Sequence, residues 1–181
     1  ISYIDDFEGS RSTIDLKSFS SWVLASTPQD AVGPAGNQLF PEAGYSDSLV
    51  YGYNRAKMAW YVIDPLFARN NTLTPDHIKE DPMQSNHYMR MVLETELFPN
   101  KELPTGTPPN LAVFDVSFNP KERGPYNYDI NNINQDGTFS DPKDRWGGIM
   151  RSITTNDFDA ANIEFIEFWM MDPFHADNGN T

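Results

Sequence analysis

The sequence predicts a mainly β fold, an antiparallel β-sandwich of the jelly-roll type found in galactose-binding and carbohydrate-binding modules, with one or two short helices. Aromatic residues make up 13% of the chain, which favours sheets over an Ala- and Leu-rich helical bundle. Fourteen Pro and eleven Gly are spread along the sequence, which indicates many short elements joined by turns. Several short segments also have the apolar pattern of strands. A length of 181 residues fits one domain, so we expect residues 1–181 to form a single soluble sandwich.

The first half of the chain contains three predicted strands. Residues 2–8 carry acids on both faces if they are extended, and residues 21–25 form a short apolar run. A long loop, residues 28–47, follows. Residues 57–64 are rich in aromatic and β-branched side chains and almost continuously apolar, which is typical of a central strand covered on both faces.

The middle of the chain contains the predicted helices. Thr74, Pro75 and Asp76 match an N-cap, a first-turn proline and an early acid, so a short helix should begin there and end at Pro82. Residues 86–97 have helical spacing of apolar side chains, although part of this segment also fits an extended chain.

The last part of the chain contains three more predicted strands. Residues 111–119 alternate, with Phe114, Val116 and Phe118 on the apolar side. Residues 120–145 are predicted to be a loop or a loosely paired hairpin with a turn at Asp136-Gly137. Residues 146–153 and 162–172 complete the set, and the second of these is apolar on both faces, as expected in the interior of a sandwich.

The charge balance limits the partners of this chain. There are 26 acidic and 13 basic side chains, giving a net charge of −13, which disfavours nucleic acids and anionic lipid surfaces. The absence of Cys excludes disulfides and thiolate chemistry. No apolar run approaches the roughly 20 residues of a membrane-spanning helix. The first residues lack the features of a signal peptide and both ends resemble cut ends, so we expect a fragment of a larger chain.

Two acidic segments are candidates for a structural calcium ion, the one cofactor that the sequence raises. Asp5, Asp6, Glu8 and Asp172 would meet if the first and last strands pair, and a cation would offset their repulsion. The alternative is that these acids face water at a sheet edge. Residues 132–137 resemble the start of a calcium loop, but Lys143 occupies the position of the bidentate Glu, which favours an ordinary surface turn.

No catalytic residues are predicted, and the chain is expected not to be an enzyme. The three His residues match neither a zinc motif nor a catalytic triad, and no pair among the many acids stands out as a glycosidase pair. Four Trp side chains are candidates for a sugar-stacking platform, although strand aromatics more often fill the core of a sandwich. These are Trp22, Trp60, Trp146 and Trp169.

Five segments, in one order along the chain, resemble the SprA/Sov family, very large outer-membrane proteins that form the translocon of the type IX secretion system in gliding and related bacteria. The segments are residues 4–10, 51–57, 120–128, 145–151 and 162–174. The resemblance covers nearly the whole chain and supplies no catalytic residues.

The resemblance implies a non-catalytic role in protein secretion and gliding motility. It implies partners that include other parts of the translocon, accessory proteins and secreted cargo, at the outer membrane or cell surface. Because these residues cannot build the family's barrel, we expect a folded insertion or cap without a membrane span, on the periplasmic or extracellular side. Lys121, Arg123 and Tyr126 form the candidate interaction loop, and the alternative is a tight turn in which Arg123 pairs with a local acid.

Overall fold

The computed structural model describes residues 17–79, 81–153, 157–160, 164–165 and 168–175, and these residues belong to two compact units. Unit 1 takes its described residues from Ile1–Lys17, Val62–Asp115 and Ile153–Thr181, and unit 2 consists of Ser18–Tyr61 and Val116–Ser152. The fold is mainly β, with six strands and a few short helices among the described residues. No helix in this part of the chain is long and apolar enough to cross a membrane.

Unit 2 is built from two strand pairs. Strand β1 (Val23–Leu24) pairs with β6 (Ile149–Met150) in antiparallel register, and β2 (Ala56–Tyr61) pairs with β5 (Asp115–Arg123), whose first residue still belongs to unit 1. A parallel bridge joins Arg55 to Trp146. Short 3₁₀ helices connect these strands, at Phe19–Ser21, Pro41–Gly44, Leu49–Gly52 and Pro142–Asp144.

Unit 1 contains the α-helices and a third strand pair. The helices are α1 (Pro65–Ala68), α2 (Asp81–Gln84) and α3 (Glu94–Leu97). Strand β3 (Val92–Leu93) pairs with β4 (Asn110–Leu111) in antiparallel register. The N–H of Glu94 extends this ladder by donating to the carbonyl of Pro109 at 2.8 Å.

The predicted strands agree with the structure in part. The 57–64 prediction overlaps β2, but the strand ends at Tyr61, pairs with β5 alone among the described strands and is half-buried, not covered on both faces. Strands β1 and β6 lie within 21–25 and 146–153. The turn at Asp136-Gly137 is confirmed, since the N–H of Gly137 bonds the carbonyl of Asn134 and the flanking residues form a bridge. Residues 2–8 lie outside the described residues.

The 111–119 prediction is wrong in extent and in orientation. The segment divides between β4 and β5, and β5 continues to Arg123. Val116 and Phe118 are 47% and 42% exposed, whereas Asp115 and Ser117 are half-buried. The side predicted to be apolar and buried is therefore the more exposed side of the strand.

The predicted helix at Thr74 is wrong because this side chain has another role. Thr74 is 3% exposed, and its hydroxyl lies 2.8 Å from the carbonyl oxygen of Leu66 and 2.7 Å from that of Arg69. It therefore closes the end of α1 instead of starting a helix. The N-cap in this region is Asp64, which accepts from the N–H of Leu66 at 2.8 Å and is followed by Pro65. Pro82 lies inside α2 and does not end a helix.

Of the helix predicted over residues 86–97, only the last four residues, Glu94–Leu97, are helical. Residues 92–93 form β3, and only α3 is helical.

The described residues of 162–172 form no strand, and Phe165, Phe168, Trp169 and Met170 are 77%, 68%, 71% and 70% exposed. The prediction that this segment lies in the interior of a sandwich is wrong for the described residues, which lie at the surface.

A cavity of about 90 Å³ lies in unit 1 and includes Asp115 in its wall. The rest of the lining is mainly apolar, and one carboxylate oxygen of Asp115 is buried without a hydrogen-bond partner in the described structure. Burial raises the pKa of this carboxyl, and a hydrogen bond from the backbone of Ile63 opposes that effect only in part.

Asp115→Asn is expected to stabilise the protein at pH 7 by about 0.5 kcal/mol, since solvent screening at this half-buried position weakens the effect. A raised native pKa means that the wild type loses stability as the pH rises from 3.8 through that value. The gain should therefore disappear at pH 3. Urea unfolding at both pH values measures it, and a variant less stable than the wild type at pH 7 would contradict it.

Candidate functional site

The centre of unit 2 is unusually polar. Its buried apolar residues are Ala43, Ala56 and Phe139. Buried polar residues are more numerous, and buried polar groups must be paired if the fold is to be stable. They are Thr27, Glu42, Arg55, Asn127, Asp129 and Arg145.

Arg145 lies at the middle of this polar centre, with a side chain that is 0% exposed. Its Nη2 lies 3.0 Å from Oδ2 of Asp129 and 2.5 Å from Oδ1 of Asp141, and its Nη1 donates to the carbonyl of Tyr53. The guanidinium also stacks on Phe139, with Cζ 3.9 Å from the ring centroid. One cation thus joins three separate segments of unit 2.

Asp129 is the matching buried anion, with a side chain that is 1% exposed. Burial alone would raise the pKa of this carboxyl. Hydrogen bonds from the N–H of Asn131, from Arg145 and from the amide of Asn132 outweigh burial, so the pKa of Asp129 is lowered. The folded protein therefore holds Asp129 in its charged form.

Asn127 is a further polar residue at this centre, and it connects its own loop to the residues that precede β2. Its Nδ2 donates to the carbonyls of Tyr53 and Arg55 at 2.7 and 2.6 Å, and its Oδ1 accepts from the N–H of Asp129 at 2.9 Å. We refer to Arg145, Asp129, Asp141 and Asn127 as the arginine cluster.

Two glycines let the backbone of residues 124–130 lie close to its neighbours. A Cβ on Gly124 would lie 2.6 Å from the carbonyl oxygen of Ala56, and a Cβ on Gly52 would lie 2.7 Å from that of Tyr126. Tyr126 itself has a φ of 62°, a left-handed conformation that costs a non-glycine residue on the order of 1 kcal/mol. The surrounding contacts hold the loop in a conformation that it would not adopt alone.

The consequence is an inverted pattern of burial along residues 126–130. The polar residues Asn127 and Asp129 are 5% and 1% exposed, whereas Tyr126, Tyr128 and Ile130 are 66%, 53% and 78% exposed. Strands and loops at a protein surface usually place their apolar side chains inward. We call the three exposed side chains, Tyr126, Tyr128 and Ile130, the tyrosine ridge.

The structure places the predicted interaction loop beside this ridge. Lys121 and Arg123 are exposed at the end of β5, and Tyr126 belongs to the ridge. Nη2 of Arg123 donates to the backbone carbonyl of Asp129 at 2.8 Å. Arg123 therefore closes a turn, as in the alternative to an interaction loop. Its partner is a backbone carbonyl, however, and not the carboxylate of a local acid.

The four Trp candidates have different surroundings. In unit 2, Trp22, Trp60 and Trp146 are half-buried: Trp146 contacts Phe40 edge-on, and Trp60 donates to the carbonyl of Phe19. Trp169, in unit 1, is 71% exposed and lies edge-on to Phe98 with centroids 6.3 Å apart. Among the four, Trp169 has the most accessible ring.

The calcium candidates lie mostly outside the described residues, since only Asp172 of the four is described. Its Oδ1 accepts from the N–H of Phe174 at 2.9 Å, and its side chain is exposed. In residues 132–137, Oδ1 of Asp136 accepts from the backbone and hydroxyl of Thr138, as in an ordinary turn. Across the described ranges, no group of three His, Cys, Asp or Glu is suited to hold a metal.

Two of the three histidines, which are distant in sequence, lie together in unit 1. The rings of His87 and His175 stack with centroids 4.3 Å apart. The hydroxyl of the adjacent Tyr88 lies 3.2 and 3.0 Å from the carbonyls of Pro173 and His175. These contacts attach residues 172–175 to residues 87–88.

No protein-family model matches the sequence, and no curated protein matches it.

Proposed function

We propose that this chain is a non-catalytic structural and interaction module of a SprA/Sov-like outer-membrane translocon, with roles in type IX secretion and gliding motility. In this proposal it is a periplasmic or cell-surface part of the translocon and contacts accessory subunits and cargo. Three of the resembling segments support it, since residues 51–57, 120–128 and 145–151 meet at the arginine cluster. Residues of these segments, Arg145 and Asn127 among them, thus help to hold the tyrosine ridge in place.

The tyrosine ridge is the observation that carries the interaction role. Three large apolar side chains point to solvent from a loop whose polar side chains are buried and fully engaged. Tyr is also among the residues enriched in protein interfaces. A loop that serves only the fold would gain stability from the opposite orientation, because burial of each apolar side chain is worth roughly 1.5–3 kcal/mol.

We also propose that the strand pairs belong to an antiparallel β-sandwich of the jelly-roll type. The antiparallel pair β1–β6 and the separate pair β2–β5, both in unit 2, support two layers. The bridge between Arg55 and Trp146 is parallel, so the proposed sandwich departs from a purely antiparallel arrangement at this point.

A carbohydrate-binding module with a structural calcium ion is the second candidate. The exposed rings of Tyr126 and Tyr128 favour it, because sugars stack on accessible aromatic faces. The aliphatic side chain of Ile130 separates the two functions: a protein partner would use it, whereas ring stacking of a sugar would not require it.

The experiment replaces the ridge in the full-length protein of the host bacterium. The triple variant Tyr126→Ser, Tyr128→Ser, Ile130→Thr is expected to reduce export of secreted cargo about tenfold, because a few central apolar residues carry most of an interface. The matched control replaces three other exposed apolar side chains of unit 2, Tyr45→Ser, Leu49→Thr and Val32→Thr, which are 56%, 60% and 63% exposed. The control should export normally.

Two results would decide against this function. If the ridge variant is as abundant as the wild type and exports cargo normally, the tyrosine ridge has no role in secretion. If Ile130→Thr alone leaves export unchanged and the two Tyr substitutions abolish binding to an oligosaccharide array, the carbohydrate-binding function replaces it.

A further inference from the structure

We infer that the tyrosine ridge receives an acidic, apolar peptide segment of a partner protein, bound in an extended conformation. This inference rests on the proposed function and adds the chemistry of the partner. The local charge, the free backbone donors and the fixed shape of the loop each contribute to it.

The surface beside the ridge is locally basic in a chain of net charge −13. The acids close to it are engaged in ion pairs: Glu122 pairs with Lys57 at 2.5 Å, and Asp129 and Asp141 share Arg145, at 3.0 and 2.5 Å. Lys121 is exposed and forms no ion pair within the described residues, and Arg123 donates only to a neutral carbonyl. Two cationic side chains therefore remain available to an acidic partner.

The backbone of the ridge offers donors to an extended chain. Side-chain oxygens of Asn127 and Asp129 accept from the N–H groups of Asp129 and Asn131, which turns these donors inward. The N–H groups of Tyr128 and Ile130 have no protein acceptor in the described structure. A partner segment that supplies carbonyl oxygens two residues apart would satisfy both, as in strand addition.

The ridge is held in place before any partner arrives. Hydrogen bonds within the arginine cluster fix Asn127 and Asp129, which alternate with the exposed side chains. Gly52 lies against the backbone of Tyr126, and Gly124 lies against that of Ala56. A preorganised surface loses little conformational entropy on binding, which favours a short linear segment as partner.

The test uses two capped hexapeptides that differ only in charge, acetyl-Glu-Ile-Glu-Ile-Glu-Ile-amide and acetyl-Lys-Ile-Lys-Ile-Lys-Ile-amide. Titration of the whole chain, followed by amide chemical shifts in NMR, should show that the acidic peptide perturbs residues 121–130 and binds about tenfold more tightly than the basic one. Lys121→Glu should weaken binding of the acidic peptide about tenfold. Lys143→Glu, the same charge change at another exposed lysine of unit 2, should change it less than about twofold.

Three results would overturn this inference. They are equal binding of both peptides, no effect of Lys121→Glu, and no binding of the acidic peptide at about 1 mM. A second binding experiment uses phosphatidylglycerol vesicles in place of the peptides, because anionic lipid shares the charge and apolar character of the acidic peptide. Vesicle binding that depends on Lys121, without peptide binding, would make the ridge a membrane contact. If these tests fail while the ridge variant still blocks export, the interaction module stands and only the chemistry of its partner is wrong.

Discussion

Arg145→Met should lower the free energy of unfolding by about 3–5 kcal/mol, because it removes the partner of a buried charge and leaves Asp129 unpaired in the interior. Met has a similar length and no charge, so the loss reports the broken pair more than a change in volume. The substitution also removes the donor to the carbonyl of Tyr53 and the stacking on Phe139. Urea unfolding followed by tryptophan fluorescence measures the effect.

The matched control is Lys57→Met, which breaks the ion pair with Glu122. The side chains of that pair are 47% and 51% exposed, so its loss should cost less than about 1 kcal/mol. Similar losses for the two variants would show that the arginine cluster does not support the fold. The double variant Arg145→Met, Asp129→Leu should recover part of the stability, because it removes the buried pair together. Recovery should be incomplete, since Asp141 still loses its partner and the N–H of Asn131 loses its acceptor.

The lowered pKa of Asp129 gives this interaction a definite pH dependence. The contribution of Asp129 to stability is complete above the ordinary aspartate pKa of 3.8 and is lost as the pH falls from there through the lower native value. The difference in stability between the wild type and Asp129→Asn should therefore shrink below pH 3.8. This direction is opposite to that of Asp115, whose raised pKa makes its charged form unfavourable.

Gly124→Ala is expected to cost about 3 kcal/mol and to displace the tyrosine ridge. The added Cβ would lie 2.6 Å from the carbonyl oxygen and 2.9 Å from the carbonyl carbon of Ala56, and 3.1 Å from the Cα of Lys57. All three are backbone atoms, so no side chain can rotate to relieve the overlap. Urea unfolding measures the loss, and amide shifts of residues 126–130 report the displacement.

Gly44→Ala is the control for this substitution. No atom lies within 4 Å of the position that its Cβ would take, so stability should change by less than about 1 kcal/mol. A Gly124→Ala variant as stable as the Gly44→Ala variant would contradict the close approach of residue 124 to β2.

The elements that the sequence predicts well are those with strong local signals. The apolar segment from Lys57 onward becomes β2, and Asp136-Gly137 forms the expected turn, because neighbouring residues alone determine these features. Thr74 has an equally clear local pattern, but its hydroxyl bonds the carbonyls of Leu66 and Arg69. Such a contact depends on how the chain folds back, and no short sequence window contains it.

The candidate site is predicted only in part for a related reason. The sequence indicates that Tyr126 and Arg123 belong to an interaction loop, but the alternation of residues 126–130 does not show which side faces water. The usual rule would bury Tyr128 and expose Asp129, and the structure shows the reverse because Arg145, 16 residues further along the chain, receives the carboxylate. Buried ion pairs between distant segments have no signature in a single sequence.

Unfolding of the ridge variant tests the central claim most directly, namely that Tyr126, Tyr128 and Ile130 serve a partner and not the fold. If their side chains face solvent, the triple variant should keep the wild-type free energy of unfolding to within about 1 kcal/mol, as surface substitutions do. A loss of about 3 kcal/mol or more in urea unfolding would show that these side chains are packed inside the protein, and would contradict the claim.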